Sequence, residues 1–287
     1  MLVVLVIAVL WVLDRAVGGV TALFSDQPAP VAGSPFDSLA PAPSARSGSP
    51  TVDRVAQRGK LIVAIQEAPG LAQRPPGSGG YAGFDIALLD LIARDLRVDP
   101  AATSFKPLAA TSREAALSRG EVDLVLGGYE ITAARSAKVG IAGPYLVLPL
   151  RLAAAANSPV NGLKSLDQGE VCAPAGSPAA AALAERGQRP QVRDTLGACA
   201  NLLGGPVAAI AGDQAALAAV LAKAPDALRL IDEPLGSTEY GIGLPSGDPV
   251  LRERITAVLR HTIDNGTWTR LYTEYLGGPV PTPPTLR

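Results

Sequence analysis

The stretch LSRGEVDLVLGGYEITAARSAKVGIAGPY, Leu117–Tyr145, decides how the rest of the chain is read. Its apolar run VDLVLGG suits a buried strand and stops at Gly127 and Gly128. Thr132 then stands where a helix cap belongs, ahead of Ala133, Ala134 and Arg135. A guanidinium in the first turn of a helix opposes the helix dipole by roughly 0.5 kcal/mol, so Arg135 calls for an acidic partner or a ligand. Alone, it reads either as a surface charge or as an anion clamp. An anion there would meet both the guanidinium and free backbone N–H groups, and a bidentate carboxylate is the strongest such contact.

The surroundings alternate in the same way. KLIVAI (Lys60–Ile65) reads as a buried strand, and GFDIALLDLIARDL as a helix that Asp85 can cap, with Leu88, Leu89, Ile92 and Leu96 on one face. TSFKPL reads as strand and SREAALSRG as helix, so the pattern is that of a mostly parallel sheet with covering helices. A second unit begins near Leu148. EVCAPAGSPAAAALAERG reads strand, turn, helix, with Ser177 as cap and Pro178 at the first helical position. PVAAIAGDQAALAAVLAKA repeats that arrangement with Asp213 as cap. A long final helix presents Leu251, Ile255, Val258 and Leu259 to a core.

At 287 residues the chain can hold one large domain or two ordinary ones, and its net charge of −1 gives no electrostatic case for nucleic acid. Cys172 and Cys199 lack metal-ligand spacing, and His261 is the single histidine, so no metal site is expected. The cysteines read as one disulfide in an oxidising compartment and as two buried thiols in cytosol. The N-terminus arbitrates. MLVVLVIAVLWVL is an uninterrupted apolar run, shorter than the roughly 20 residues that span a bilayer and suited to a signal-peptide core. With the following AVGGVTALF it would span, at the expense of placing Asp14 and Arg15 inside the segment. Residues 1–24 are therefore expected to export the remainder as an uncleaved membrane anchor, the alternative being a cleaved signal and a secreted product. Residues 25–50, rich in Pro, Ala and Ser, read as an extended tether.

From about Val52 to Gly278 the chain resembles the family 3 extracellular solute-binding proteins, the polar-amino-acid receptors of ABC importers. The resemblance rests on GYAGFDIALLDLIARDL, the Leu117–Tyr145 stretch, VCAPAGS, GDQAA, YGIGLPSGD and NGTWTRLYTEYLGG, in that order and spacing. It implies an α/β fold of the type II periplasmic-binding-protein kind: two lobes, two crossover strands and a ligand in the cleft between them. Lobe 1 would comprise 51–147 and 240–278, lobe 2 148–239, and 279–287 would form a C-terminal tail. The resemblance also implies that Arg135 holds the ligand's α-carboxylate, that Gly128 and Glu130 line the same pocket, that Gly176 and Ser177 add donors from lobe 2, and that Asp213 holds the α-ammonium. The implied ligand is glutamate, glutamine, aspartate or asparagine, and the implied partners are permease and ATPase subunits. A monomer without cofactor or catalysis is expected.

The chain departs from the family pattern at several places. Glu130 stands where the family usually carries Ser or Thr; it reads either as a grip on a cationic group, with Asp213 opposite, or as a partner of Arg135. After the first strand, either Gln66 or Glu67 is expected to face the cleft, because a strand alternates faces. Tyr129 is the nearest aromatic to a ligand-stacking position, or else it is packing. Arg113 reads either as a solvated helix face or as a cleft group that attracts an acidic side chain. A Cys172–Cys199 disulfide would tie the second lobe's Gly-Ser turn to the next helix. Two other functions stay open. A membrane-tethered sensor would suit the anchor, and a cyclohexadienyl dehydratase-like enzyme would use Glu130 as general acid.

Overall fold

The computed structural model describes residues 47–287, so the expected anchor (1–24) and residues 25–46 of the tether lie outside the described residues. Ser49 and Pro50, placed in the tether by composition, instead cap and begin a helix. This is α1 (Pro50–Arg58), with Ser49 Oγ accepting from Val52 N, and with Gly59 in the left-handed conformation closing its end.

Strand β1 (Ile62–Ile65) is buried and feeds helix α2 (Phe84–Asp95), whose Leu88, Leu89 and Ile92 are sealed in the core. Strand β2 (Ser104–Pro107) lies parallel to β1 on one side; after helix α3 (Arg113–Ser118), strand β3 (Leu124–Leu126) lies parallel on the other. Thr132 caps the short helix α4 (Ala133–Ser136) by accepting from Arg135 N at 3.2 Å, as its position foretells.

The long strand β4 (Gly140–Ala155) then leads into β5 (Val171–Pro174), α5 (Pro178–Glu185), β6 (Gln191–Arg193), α6 (Leu196–Ala200), β7 (Ala209–Asp213) and α7 (Gln214–Lys223). A second long strand, β8 (Leu228–Leu244), returns antiparallel to β4, paired from Gly140↔Leu244 to Ala155↔Leu228. Helices α8 (Pro249–Asp264) and α9 (Thr267–Tyr275) close the chain against the first half. The order β2-β1-β3-β8-β4-β7-β5-β6 puts the two long strands in the middle, with a parallel α/β lobe on either side. This is the two-lobed architecture expected.

In the second lobe the sheet buries both faces. Leu150, Leu152, Val171, Leu183 and Ile231 pack on one side, and Ile210, Leu196 and Leu217 on the other. Each such side chain contributes about 1.5–3 kcal/mol when fully buried. Cys172 and Cys199 form the disulfide, Cα to Cα 5.5 Å, which pins α6 to β5. In the first lobe Trp268 packs edge-on to Phe84 and donates through Nε1 to Tyr145 O at 2.7 Å, which anchors α9 to the start of the crossover.

Asp85 does not cap α2. The cap position belongs to Gly83, and a side chain there would meet Leu71 O at 2.3 Å. Asp85 sits two residues further in, fully buried, accepting from Gly127 N (3.0 Å), Gly128 N (2.8 Å) and Tyr145 Oη (2.7 Å). It holds the end of β3, where both glycines have positive φ (83° and 63°), in place next to the cleft.

Candidate functional site

Three segments of the first lobe converge on the mouth between the lobes: the turn after β1, the start of α3, and the run from the end of β3 to α4. They face the turn after β5, the start of α6 and the N-terminus of α7 across a cleft of about 530 Å³. That volume lies in the range of small-molecule sites. A second concavity of about 660 Å³ lies beside the crossover, lined among others by Thr132, Glu239, Arg252 and Arg287; neither Arg135 nor Asp213 reaches it.

Arg135 lines the cleft with its fork held from within the chain. Nη1 donates to Glu130 O at 2.9 Å and to Glu130 Oε2 at 2.8 Å, and Nε lies 3.3 Å from Glu114 Oε1. The acidic partner that the N-terminal arginine required is thus present twice. Glu130 follows the second of its two readings, pairing with Arg135.

Arg113 is not on a solvated face. Only 2 % of it is exposed, it lines the cleft, and it reaches Gly127 O at 3.4 Å. Its Nε is buried without a hydrogen-bond partner among the described residues. Burial, then the neighbouring Arg135, pull its pKa down, because both disfavour the charged form.

Tyr129 is core, not cleft lining. It is fully buried, its ring carries both Arg113 and Arg135, and its Oη donates to Glu114 Oε1 at 3.0 Å. Gln66 and Glu67 both line the cleft. Strand β1 ends at Ile65, so the alternation that would have separated them no longer applies. Glu67 is exposed and sits 3.9 Å from Arg74.

From the second lobe, Ser177 lines the cleft and caps α5, accepting from Ala180 N at 3.2 Å. Gly176 is not itself in the lining; at φ 66° it turns the chain so that Ala175 and Ser177 are. Asp213 caps α7 through Oδ1 to Ala216 N at 3.0 Å and also faces the cleft, so the cap and the cleft group are one residue. Burial raises the pKa of Asp213 against the bonds it accepts from Ala216 N and Tyr240. Burial likewise raises that of Glu130; Arg135 works against the shift and the Asp213 charge adds to it.

Sequence reasoning missed several lining or supporting groups. Glu114 steers Arg135, and its only signal is adjacency to Arg113 on a helix that also carries Arg113 inward. Tyr240 bonds Asp213 from the far end of the second crossover. Thr195 and Gly197 line the cleft from the start of α6, and Lys223 from the end of α7.

Known proteins resemble this chain in sequence and in fold. The chain is 30% identical to the glutamate-binding protein GluB of Corynebacterium glutamicum over 225 residues, covering 74% of this chain and 76% of that one. It is 28% identical to a glutamine-binding protein of Geobacillus stearothermophilus over 204 residues, 69% and 77% of the two chains. An ancestral arginine-binding protein solved with arginine superposes with a TM-score of 0.68 at 26% identity, covering 77% of this chain and 99% of that one. A mutant of ArgBP from T. maritima reaches 0.71 at 24% identity, over 79% and 100%. The model of the bacterial extracellular solute-binding proteins, family 3, matches residues 61–278, and the chain belongs to that family.

Proposed function

We propose that the cleft binds a single polar α-amino acid whose side chain ends in a carboxylate or an amide. The observation that carries this reading is Arg113, a buried guanidinium with an unpartnered Nε, lining the cleft next to Arg135. A cationic side chain would meet a like charge there, whereas a side-chain oxygen would supply the missing acceptor. Arg135 receives the α-carboxylate and Asp213 the α-ammonium. Gly128, Ser177, Gln66 and Glu67 complete the walls, with Gly176 shaping the turn that carries Ser177. Glutamate, glutamine, aspartate and asparagine fit, and relatives named for glutamate and glutamine binding support the choice.

The anion clamp sits on one lobe and the cation clamp on the other, so a bound zwitterion stabilises the closed arrangement of the two. In this reading the protein acts as a monomer outside the cytoplasmic membrane, held there by its N-terminal segment. It delivers its ligand to the permease and ATPase subunits of an importer, and the cleft binds without catalysis. The test is thermal unfolding of the purified protein in the presence of each common amino acid at millimolar concentration. A ligand at a hundredfold excess over Kd adds about 2.7 kcal/mol to stability, a clear rise in midpoint. One acidic or amide amino acid should stand out; a response to lysine, arginine or ornithine alone would refute the assignment of Arg113.

A further inference from the structure

Past α9 the chain runs GGPVPTPPTLR, residues 277–287, with prolines at 279, 281, 283 and 284. A Pro-rich segment is extended and semi-rigid at about 3.1 Å per residue, so residues 279–287 reach roughly 25 Å. The far end of this segment is tied down. Arg287 N donates to Gly143 O at 2.9 Å, and the Arg287 guanidinium pairs with the Glu239 carboxylate. One residue thus joins β4, through Gly143, to β8, through Glu239.

The join falls where the crossover ladder is interrupted. Pairing of β4 with β8 starts at Gly140↔Leu244, shifts register between Ala142 and Leu146, and resumes with Leu146↔Tyr240 and Val147↔Glu239. Gly143 lies in that break. Residues 239–241 also support the binding wall: Glu239 O accepts from Ile131 N at 2.7 Å, Tyr240 bridges to Glu130, and Gly241 N donates to Tyr129 O at 2.9 Å. Tyr240 in addition lines the cleft and bonds Asp213. Arg287 and Glu239 themselves line the concavity of about 660 Å³ beside the crossover and are absent from the cleft lining. Any effect of Arg287 on a ligand therefore passes through the strands it joins.

We propose that Arg287 is a positioning residue for the cleft: by clasping Gly143 and Glu239 across the register break, it holds Tyr240 and the run from Glu130 to Arg135 in one arrangement. The inference rests on the proposed reading of the cleft as an acidic or amide amino-acid site. Prolines reduce the entropy lost when such a tail docks, because the free segment already samples few conformations. An ion pair whose side chains are 64% and 36% exposed adds little to overall stability. Its effect lies in the arrangement the ligand meets, since groups ordered before binding need not be ordered by the ligand.

The test is calorimetric titration of the full chain with L-glutamate and L-glutamine, with unfolding midpoints measured on the same preparations without amino acid. Wild type is compared with Arg287→Ala, with Glu239→Gln, with the exchanged pair Glu239→Arg/Arg287→Glu, and with a chain lacking residues 279–287. Arg287→Ala and Glu239→Gln should each weaken binding by about fivefold, the upper range for an exposed pair, while the midpoint falls by less than about 3 °C. The deletion, which also removes the bond to Gly143 O, should weaken binding by about tenfold. The exchanged pair should recover most of the loss, because it restores the attraction with its charges reversed. If wild type binds and both Arg287→Ala and the deletion stay within about twofold of it, the inference is overturned and the reading of the cleft stands. A loss that the exchanged pair does not recover also overturns it, since Arg287 would then not act through Glu239. If wild type binds neither L-glutamate nor L-glutamine, the reading of the cleft falls and takes the inference with it.

Discussion

Arg113 and Arg135 lay their guanidinium groups over the same ring, that of Tyr129, each 5.1 Å from its centroid. Two cations are thereby brought together at one wall of the cleft, supported by the ring face and by Glu114 and Glu130. Replacing Arg113 with Met keeps much of its volume and removes a partly unsatisfied buried charge. Stability should change by less than about 1 kcal/mol or increase. Affinity for an acidic amino acid should fall by about tenfold or more, and for an amide by less. Urea unfolding and titration calorimetry on the same preparations separate the two effects.

Asp85 is the post on which the cleft's first wall hangs. Asp85→Ala strips the partners from two backbone N–H groups and from Tyr145 Oη, all in a buried setting. An expected loss of about 3–5 kcal/mol follows from leaving such groups unsatisfied. Tyr145→Phe removes one of the three bonds and should lose only about 1–2 kcal/mol. Equal losses in urea unfolding would contradict this account of the wall.

The Cys172–Cys199 disulfide closes a loop with a sequence separation of 27. In the chain-entropy picture a double Cys→Ser variant loses about 3–4 kcal/mol. Because α6 begins at Leu196, next to cleft-lining Thr195, weaker ligand binding should accompany the loss of stability. Denaturant unfolding with and without a reductant gives the first number, and ligand titration the second.

The buried acids set the direction of the pH response. Asp85, Glu130 and Asp213 all have pKa values raised in the folded state, each chiefly by burial. The folded protein then holds more protons than the unfolded chain above the ordinary carboxylate range of roughly 4. Their contribution to stability is complete below that range and is lost as pH rises through the folded values. Exposed Glu121 runs the other way: hydrogen bonds from Arg119 and Lys106 hold it at about 2, so its contribution is present above the ordinary 4.5 and is lost progressively as pH falls from there to about 2. Wild type should therefore be more stable at pH 5 than at pH 8. Glu130→Gln should gain on wild type as pH rises; a difference between the two that does not move with pH would refute the shift at Glu130.

Much of this was legible because it depends on local chemistry. Thr132, Ser177 and Asp213 each stand before a helix as side chains able to cap it, and each does. The apolar spacing of Leu88, Leu89 and Ile92, and of Leu251, Ile255 and Leu259, marks faces that are buried. That Arg135 and Asp213 line one cleft was legible only through the family register, since nothing local says that Arg135 faces a cleft. What escaped depends on long-range packing. Arg113 opens a six-residue helix too short for a periodicity to show which side is inward. Asp85 resembles a cap by position, yet its partners lie 42, 43 and 60 residues away. Tyr240 meets Asp213 only because β8 returns through the centre of the sheet.

The central claim is that Arg135 and Asp213, on opposite lobes, clamp the two ends of one amino acid. Titration of wild type, Arg135→Ala and Asp213→Ala with the amino acid that most raises the wild-type unfolding midpoint tests it directly. Each variant should lose affinity by about a hundredfold or more, as removal of a charge-assisted partner in a desolvated site implies. Arg135→Ala binding that ligand as tightly as wild type would contradict the account.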